Sequence, residues 1–291
     1  MLYSDEVFEP DGQSIRSVYR ESSFGDEPFH WLEAGAENDR TLVLVHGILA
    51  HSMAYRKVIA PLAERFHLVL PDLPGHGRDE TFRSRRIRPE IYDLVDWFEQ
   101  LLQTVAGSEP VSVAGHSLGA LVGFIAARER DRFHPIDRLA LISPGIRIGI
   151  PRWTAEFFEA LPTSIAEWAA NEVGLRAYEP IQWRQSRMSG EELDSYLEPL
   201  QDADRLEFIK ELGADLLREP DRLPGAHRVT IPTLLITGDR DHLVSVDTAR
   251  LLNSVIPDSR IEILEDVGHC PMEDAPGPFS DFLLDFFGGE D

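Results

Sequence analysis

A serine held between two glycines constrains this chain more than any other feature of its sequence. The segment is Gly115-His116-Ser117-Leu118-Gly119. It directly follows the apolar run 111–114 and directly precedes residues 120–127, whose composition favours a helix. A strand that turns at once into a helix needs glycine on both sides of the turn, because Cβ atoms there would collide as the two elements close together. We therefore expect a strained turn that lifts Ser117 clear of the sheet edge, beside the free N–H groups of a new helix.

A serine hydroxyl needs a base to become a nucleophile, and the base needs a carboxylate to orient it. Both residue types follow predicted strands later in the chain: Asp239 and Asp241 after one strand, and His269 after the next. The carboxyl ends of parallel strands meet at one edge of a sheet. The order serine, acid, histidine is also the order that a G-x-S-x-G nucleophile elbow uses. These residues are therefore candidates for one site.

With these motifs the chain resembles the α/β-hydrolase-fold serine hydrolases of the esterase, lipase and C–C hydrolase group. The resemblance implies an α/β-hydrolase fold, with a mostly parallel central sheet flanked by helices and a helical cap insertion. By position it implies that Ser117 is the nucleophile, Asp241 the acid and His269 the base, with Asp239 as the rival acid. The matching segments, which cover the chain from about residue 40 to 287, are Leu44-Val45-His46-Gly47-Ile48, Asp72-Leu73-Pro74-Gly75-His76-Gly77, Gly115 to Gly119, Gly238-Asp239-Arg240-Asp241 and Gly268-His269-Cys270-Pro271-Met272-Glu273.

The resemblance also implies an oxyanion hole made of main-chain groups, the N–H of Ile48 and the N–H of Leu118. A single glycine before Ile48 goes with ordinary acyl groups and unhindered alcohols in such enzymes. The histidines within the motifs are expected to fix loops or line the pocket, and His51 has no neighbour that predicts a chemical role. No histidine or cysteine pair stands at metal-ligand spacing, so we expect neither a metal nor a cofactor.

The resemblance makes a serine ester hydrolase, acting on small or medium apolar acyl esters through an acyl-enzyme, the first expectation. Thioesterase, lactonase, C–C bond hydrolase and perhydrolase chemistry on the same triad are the alternatives. A hydrolase-fold ligand receptor is a further alternative from a different class. The typical haloalkane dehalogenases and epoxide hydrolases of this group carry aspartate where Ser117 stands, so the serine argues against both.

Composition limits the partners. The net charge of −23 argues against nucleic acid and anionic membranes, which leaves a small-molecule ester as the expected partner and the oligomeric state open. The acidic start of the chain has no secretory pattern, and no apolar run approaches the roughly 20 residues of a membrane span. We therefore expect a cytoplasmic location without membrane insertion. The single cysteine, Cys270, fits a reducing compartment.

Two further patterns each leave alternatives open. Acidic excess with only Lys57 and Lys210 as lysines fits adaptation to high salt, although a GC-rich genome alone can replace lysine by arginine. The basic run 82–88 is either a solvated loop or a contact for an anionic substrate tail.

Strands and helices alternate along most of the chain, which predicts a mainly parallel sheet. An amphipathic helix is expected from Ile91 to Val105. Residues 146–228 contain no strand pattern and are broken by prolines, and Ser189 and Glu192 have the spacing of a capping box. We interpret 146–228 as a helical cap (lid) subdomain inserted into a core of residues 1–145 and 229–291. Strands are expected at 41–45, 68–70, 111–114, 139–142, 232–237 and 261–264, after a hairpin of 14–20 with 28–33.

Overall fold

The computed structural model describes residues 7–8, 15–24, 27–84, 86–129, 135–147, 156 and 189–289. Its centre is a nine-stranded sheet with the order β1-β2-β3-β5-β4-β6-β7-β8-β9. The strands are β1 (Val7–Phe8), β2 (Ile15–Phe24), β3 (Glu27–Ala34), β4 (Thr41–Val45), β5 (His67–Pro71), β6 (Val111–His116), β7 (Ile136–Ile142), β8 (Thr233–Gly238) and β9 (Ser259–Leu264). The pairs β1–β2, β2–β3 and β3–β5 are antiparallel, and the other neighbours are parallel. The sheet is therefore mostly parallel, as expected.

Helices cover both faces of this sheet, because its central strands are apolar on both sides. In the described residues up to 147 and from 189 onward, the α-helices are α1 (Arg56–Ala63), α2 (Ile91–Ala106), α3 (Leu118–Arg128), α4 (Gly190–Leu200), α5 (Ala203–Arg218), α6 (Val246–Val255), α7 (Pro271–Asp274) and α8 (Pro276–Gly288). Side chains of α2, α3, α5 and α6 share one buried cluster. Side chains of α1, α4, α7 and α8 share the cluster on the other face. This is the layered α/β architecture that alternating strands and helices predict.

The expected segments agree with the structure to within a few residues over most of the sheet. The predicted hairpin forms as β2 and β3, and the apolar stripe from Ile91 becomes α2. The segment before β5 begins with a 3₁₀ turn, Ser52–Tyr55, and continues as α1, which ends at Ala63. His51 caps that turn by accepting from the Met53 N–H at 3.3 Å.

Part of the predicted cap, residues 148–155 and 157–188, lies outside the described residues. These two stretches contain most of the aromatic side chains of the predicted cap. The division into core and cap therefore stays a prediction. Within the described part, α4 and α5 are joined by Gln201 and Asp202 and contact each other; this pair is here called the α4–α5 hairpin. The expected capping box of Ser189 and Glu192 is present. A single β-bridge joins Arg147 to Asp221, and the Arg222 N–H donates to the Ile146 carbonyl at 2.9 Å.

Candidate active site

Ser117 stands in a strained turn between β6 and α3. Its φ is 52° and its ψ is −108°, a conformation that costs about 1–3 kcal/mol for a residue with a side chain. Three main-chain hydrogen bonds hold it there: its N–H donates to Ile142, and its carbonyl accepts from Leu121 and Gly145 at 3.1 and 3.2 Å. A strained serine fixed in this way projects from the carboxyl edge of the sheet.

The flanking glycines are there because backbone passes too close for any side chain. A Cβ at Gly115 would lie 2.3 Å from the Gly119 carbonyl oxygen, and a Cβ at Gly119 would lie 2.3 Å from that of Val45. Real Cβ atoms do not approach so closely, so neither position can carry one without moving the strand or the helix. This confirms the steric reason given above for a glycine on each side of the turn.

The loop after β4 lies against Ser117. A Cβ at Gly47 would be 3.1 Å from the Ser117 Cβ. His46 fixes the peptide group that follows: its Nε2 accepts from the Leu73 N–H at 2.9 Å, so its Nδ1 carries the proton and donates to the Gly47 carbonyl at 2.7 Å. The N–H of a trans peptide points opposite to its carbonyl. The Ile48 N–H is therefore directed away from the His46 ring.

The Leu118 N–H is the other predicted oxyanion donor. It is the first N–H of α3, and the first N–H groups of a helix have no partner within the helix. Among the described residues, neither this N–H nor that of Ile48 donates to a main-chain carbonyl. This is what the predicted role of the two groups as oxyanion donors requires.

Asp241 and His269 are brought together by the loops that follow β8 and β9. The His269 Nδ1 lies 2.8 Å from the Asp241 Oδ2, and both side chains are buried, at 3% and 0% exposed. The Asp241 Oδ1 accepts from the N–H groups of Leu243 and Val244 at 2.8 and 2.9 Å. Burial alone would raise the pKa of Asp241, but the hydrogen bonds and charge of His269 and these N–H groups lower it. The carboxylate is thus ionised and faces one nitrogen of the imidazole.

The rival acid, Asp239, has a different contact. Its Oδ1 accepts from the Asp266 N–H at 2.7 Å, which ties the loop after β8 to the loop after β9. Asp239 therefore braces the two loops that carry Asp241 and His269, and it forms no described hydrogen bond with His269.

The main chain around His269 is also fixed. The His116 Nε2 donates to the His269 carbonyl at 2.9 Å, and the two imidazole rings pack with centroids 4.8 Å apart. Because His116 precedes Ser117, this contact joins the elbow to the histidine loop. Burial, followed by the nearby His269, lowers the pKa of His116 to about 3. His116 is therefore neutral and acts as a spacer.

Two other motif histidines are neutral for the same reason. Burial lowers the pKa of His46 to about 4 and that of His76 to about 3. The His76 Nδ1 donates to the Pro74 carbonyl at 3.0 Å. Neither ring therefore brings a positive charge to the site at neutral pH, and both hold loops, as predicted.

A second serine–histidine pair, which the sequence did not predict, lies between the core and α4. The His51 Nε2 is 3.2 Å from the Ser195 Oγ. The His51 Nδ1 accepts from the Met53 N–H, so the proton of the neutral ring is on Nε2, which donates to the serine. The Ser195 hydroxyl in turn donates to the Glu192 carbonyl at 2.6 Å. A histidine with this tautomer cannot take the serine proton, so the pair is structural.

The basic run has acidic protein partners. Arg83 pairs with Glu80 and Asp202, and Arg88 pairs with Asp93 at 2.7 Å. These contacts argue against the interpretation of Arg83 and Arg88 as a contact for an anionic substrate tail. They support the loop interpretation, with Asp202 as the cap of α5.

Within the described residues, no group of three or more histidine, cysteine, aspartate or glutamate side chains is arranged to hold a metal ion. None of the helices found in the same part of the chain has the length and apolar character that crossing a bilayer requires.

Comparison with known proteins gives a consistent result. The sequence profile of a family described as the alpha/beta hydrolase family matches residues 42–282. The chain is 28% identical over 254 residues to the uncharacterized hydrolase YugF of Bacillus subtilis, which covers 85% of this chain and 89% of that protein. It is 29% identical over 283 residues to a pimeloyl-[acyl-carrier protein] methyl ester esterase of Edwardsiella ictaluri, with 89% and 97% covered.

Among solved structures, a serine hydrolase from the bacterium Cycloclasticus zankles superposes with a TM-score of 0.77 at 17% identity, over 94% of this chain and 98% of that one. At this identity the likeness shows the shared fold.

Proposed function

Because the chain belongs to the alpha/beta hydrolase family, we propose that it is a serine hydrolase that cleaves carboxylic esters of small to medium apolar acyl groups. The observation that carries the proposal is the 2.8 Å hydrogen bond between the His269 Nδ1 and the Asp241 Oδ2, at the same sheet edge as the strained Ser117. Ester cleavage is also named for one relative, the methyl ester esterase.

In the proposed first step, the Ser117 Oγ attacks the ester carbonyl carbon while the His269 Nε2 takes its proton. The ionised Asp241 holds the proton on Nδ1 and stabilises the imidazolium that forms. The carbonyl oxygen becomes an oxyanion, which accepts hydrogen bonds from the N–H groups of Ile48 and Leu118. One such preorganised donor contributes about 3–4 kcal/mol of transition-state stabilisation.

The tetrahedral intermediate then collapses. The bond from the carbonyl carbon to the alcohol oxygen breaks, and His269 gives its proton to the leaving alcohol. Water attacks the resulting Ser117 ester with His269 again as the base, which releases the acid and restores the serine.

Support for an apolar acyl group comes from the side chains that surround the loop after β4. Ile48 and Leu49 are half-buried and pack against an apolar cluster of the α4–α5 hairpin. The residues of that cluster are Leu200, Leu206 and Ile209. An acyl chain beside the Ile48 N–H would meet hydrocarbon and no charge from these residues.

The test compares Ser117→Ala with Ser195→Ala, because both serines lie near a histidine. With a p-nitrophenyl ester series we expect Ser117→Ala to lose kcat by about 10⁶-fold and to escape labelling by a fluorophosphonate. We expect Ser195→Ala still to turn over the esters and still to be labelled. Turnover that survives in Ser117→Ala, or that disappears in Ser195→Ala while the fold is intact, would refute the mechanism. Acyl-CoA, lactone and diketone panels separate the ester hydrolase from its alternatives.

A further inference from the structure

A buried cluster of charges lies on the α1 side of the sheet, outside the proposed catalytic groups. Arg56, the first residue of α1, is 7% exposed. Its Nε donates to the Glu192 Oε1 at 2.5 Å, and its Nη2 donates to the Glu273 Oε2 at 3.1 Å. Its Nη1 donates to the other oxygen of Glu273. Lys57 adds a second cation, with its Nζ 3.0 Å from the Glu273 Oε2.

The two carboxylates belong to different parts of the fold. Glu192 lies in the first turn of α4, whereas Glu273 lies in α7, which begins two residues after His269. Arg56 therefore connects the α4–α5 hairpin to the helix that follows the proposed base. Two cations face two carboxylates, so loss of either carboxylate leaves the cluster with one positive charge in excess.

On the histidine side, hydrogen bonds tie α7 to the residues on either side of His269. The Asp274 Oδ2 accepts from the Gly268 N–H at 2.9 Å, and the N–H groups of Glu273 and Asp274 both donate to the Cys270 carbonyl. His269 lies between these anchored residues. A displacement of α7 would therefore move the His269 main chain.

On the α4 side, Glu192 has two tasks. Its Oε2 accepts from the Ser189 N–H at 2.7 Å, which completes the capping box, while its Oε1 faces Arg56. The nearby contact of His51 with Ser195 holds the same turn of α4. The start of α4 is therefore placed by the same arginine that holds α7.

We propose that Arg56 is a positioning residue that couples the docking of α4 to the placement of His269. The proposal rests on the function proposed above, in which His269 is the base. Its consequence is that a change at Glu192, which does not contact His269, alters the chemical step.

The key variant is Glu192→Gln, which keeps the shape of the side chain and removes its charge. We expect kcat to fall about three- to tenfold with KM within about twofold, since tenfold corresponds to only 1.4 kcal/mol at the transition state. Arg56→Met should cost more, and the double variant should be no worse than Arg56→Met alone, because one connection is broken in both. If Arg56→Met does not fold, Arg56→Lys replaces it as the test variant, because it keeps the charge but not the bidentate contact.

The matched control is Arg83→Met, which removes an ion pair to Asp202 that also ties the α4–α5 hairpin to the core but does not reach α7. It should leave kcat unchanged. If Glu192→Gln lowers the melting temperature but leaves kcat as in the wild type, the role of Glu192 is purely structural and the proposal is overturned.

A second readout is independent of turnover. The proton on the His269 Nδ1 should give a downfield NMR resonance, assigned by its loss in His269→Ala, and Glu192→Gln should move it while Arg83→Met does not. An unchanged resonance also overturns the coupling. If the wild type neither turns over esters nor reacts with a fluorophosphonate, the proposed function fails, and the resonance alone decides the coupling.

Discussion

Replacing Asp241 by asparagine is expected to nearly abolish activity by moving one proton. The Asp241 Oδ1 accepts from the N–H groups of Leu243 and Val244, so the amide oxygen of an asparagine must occupy that position. The reverse orientation would place an NH₂ group against two N–H donors and leave them unsatisfied, at about 1–3 kcal/mol each. The amide NH₂ therefore faces His269.

Because that NH₂ is a donor, the His269 Nδ1 has to accept, and the proton of the neutral ring moves to Nε2. That nitrogen can then no longer take the proton of Ser117. The imidazolium also loses the buried carboxylate beside it. We expect kcat to fall by about 10⁴-fold, as is typical when the orienting acid of such a triad becomes asparagine.

The matched control is Asp239→Asn, the same chemical change two residues earlier in the same loop. The Asp239 Oδ1 accepts from the Asp266 N–H, and an amide oxygen can do the same. We expect kcat within about twofold of the wild type, since surface changes of this kind stay within about 0.5 kcal/mol.

The assay is kcat and KM on a neutral p-nitrophenyl ester, with circular dichroism to show that both variants fold. The downfield Nδ1 proton resonance should disappear in Asp241→Asn and persist in Asp239→Asn. If Asp241→Asn keeps more than a tenth of the activity, or if Asp239→Asn is the more damaged variant, the assignment of the acid is wrong.

Three further changes test how the fold supports the site. Gly238→Ala should lower kcat, and it should lower the free energy of unfolding by about 1–3 kcal/mol, because a Cβ there would lie 2.1 Å from the Val267 carbonyl oxygen. Normal turnover in this variant would contradict the expectation. Acid should destabilise the protein, because burial lowers the pKa of His51 from 6.5 to about 4. Below pH 6.5 the unfolded chain therefore binds a proton that the folded chain does not. Full protonation of His51 in the unfolded chain alone lowers the free energy of unfolding by about 3 kcal/mol. Asp79, whose pKa burial raises to about 7, acts in the opposite sense. Three more histidines act as His51 does: His46, His76 and His116. Urea unfolding at several pH values should therefore show a net loss of stability as the pH falls. Finally, KCl raised from about 0.1 to 1 M should increase the melting temperature by screening the repulsion of a net charge of −23, and a decrease would argue against salt adaptation.

Local sequence patterns predict the strands of this fold well where both faces are buried. The expected strand 41–45 is β4 itself, because a buried parallel strand is a continuous apolar run. The strand expected at 139–142 is the apolar half of β7, which begins at Ile136. Asp137 and Arg138 interrupt the apolar pattern in the first half of the strand, because polar residues at the margin of a sheet are typical of a loop.

Contacts between distant segments are what the sequence does not reveal. His51 had no predicted role, yet it lies against Ser195, 144 positions away. Arg56 meets carboxylates 136 and 217 positions away. Periodicity indicates which face of a helix is buried, but it carries no information about the residue that covers it. For the site, the motif spacing indicated Asp241 and His269, whereas the N–H groups that fix the Asp241 carboxylate depend on the turn after β8.

The bridge between Arg147 and Asp221 marks one end of the segment to exchange when the predicted cap is tested for control of substrate preference. Ile146 and Arg147 are joined to residues 221–222, and the Arg147 carbonyl also accepts from the Thr248 hydroxyl at 3.3 Å. On the far side, Ser189 starts a helix that is anchored through Glu192. A graft from another hydrolase should therefore be joined after Arg147 and before Ser189, which keeps these anchors. A transplant of the whole interval 146–228 would also replace α5, whose Phe208 and Leu212 are part of the core of the recipient.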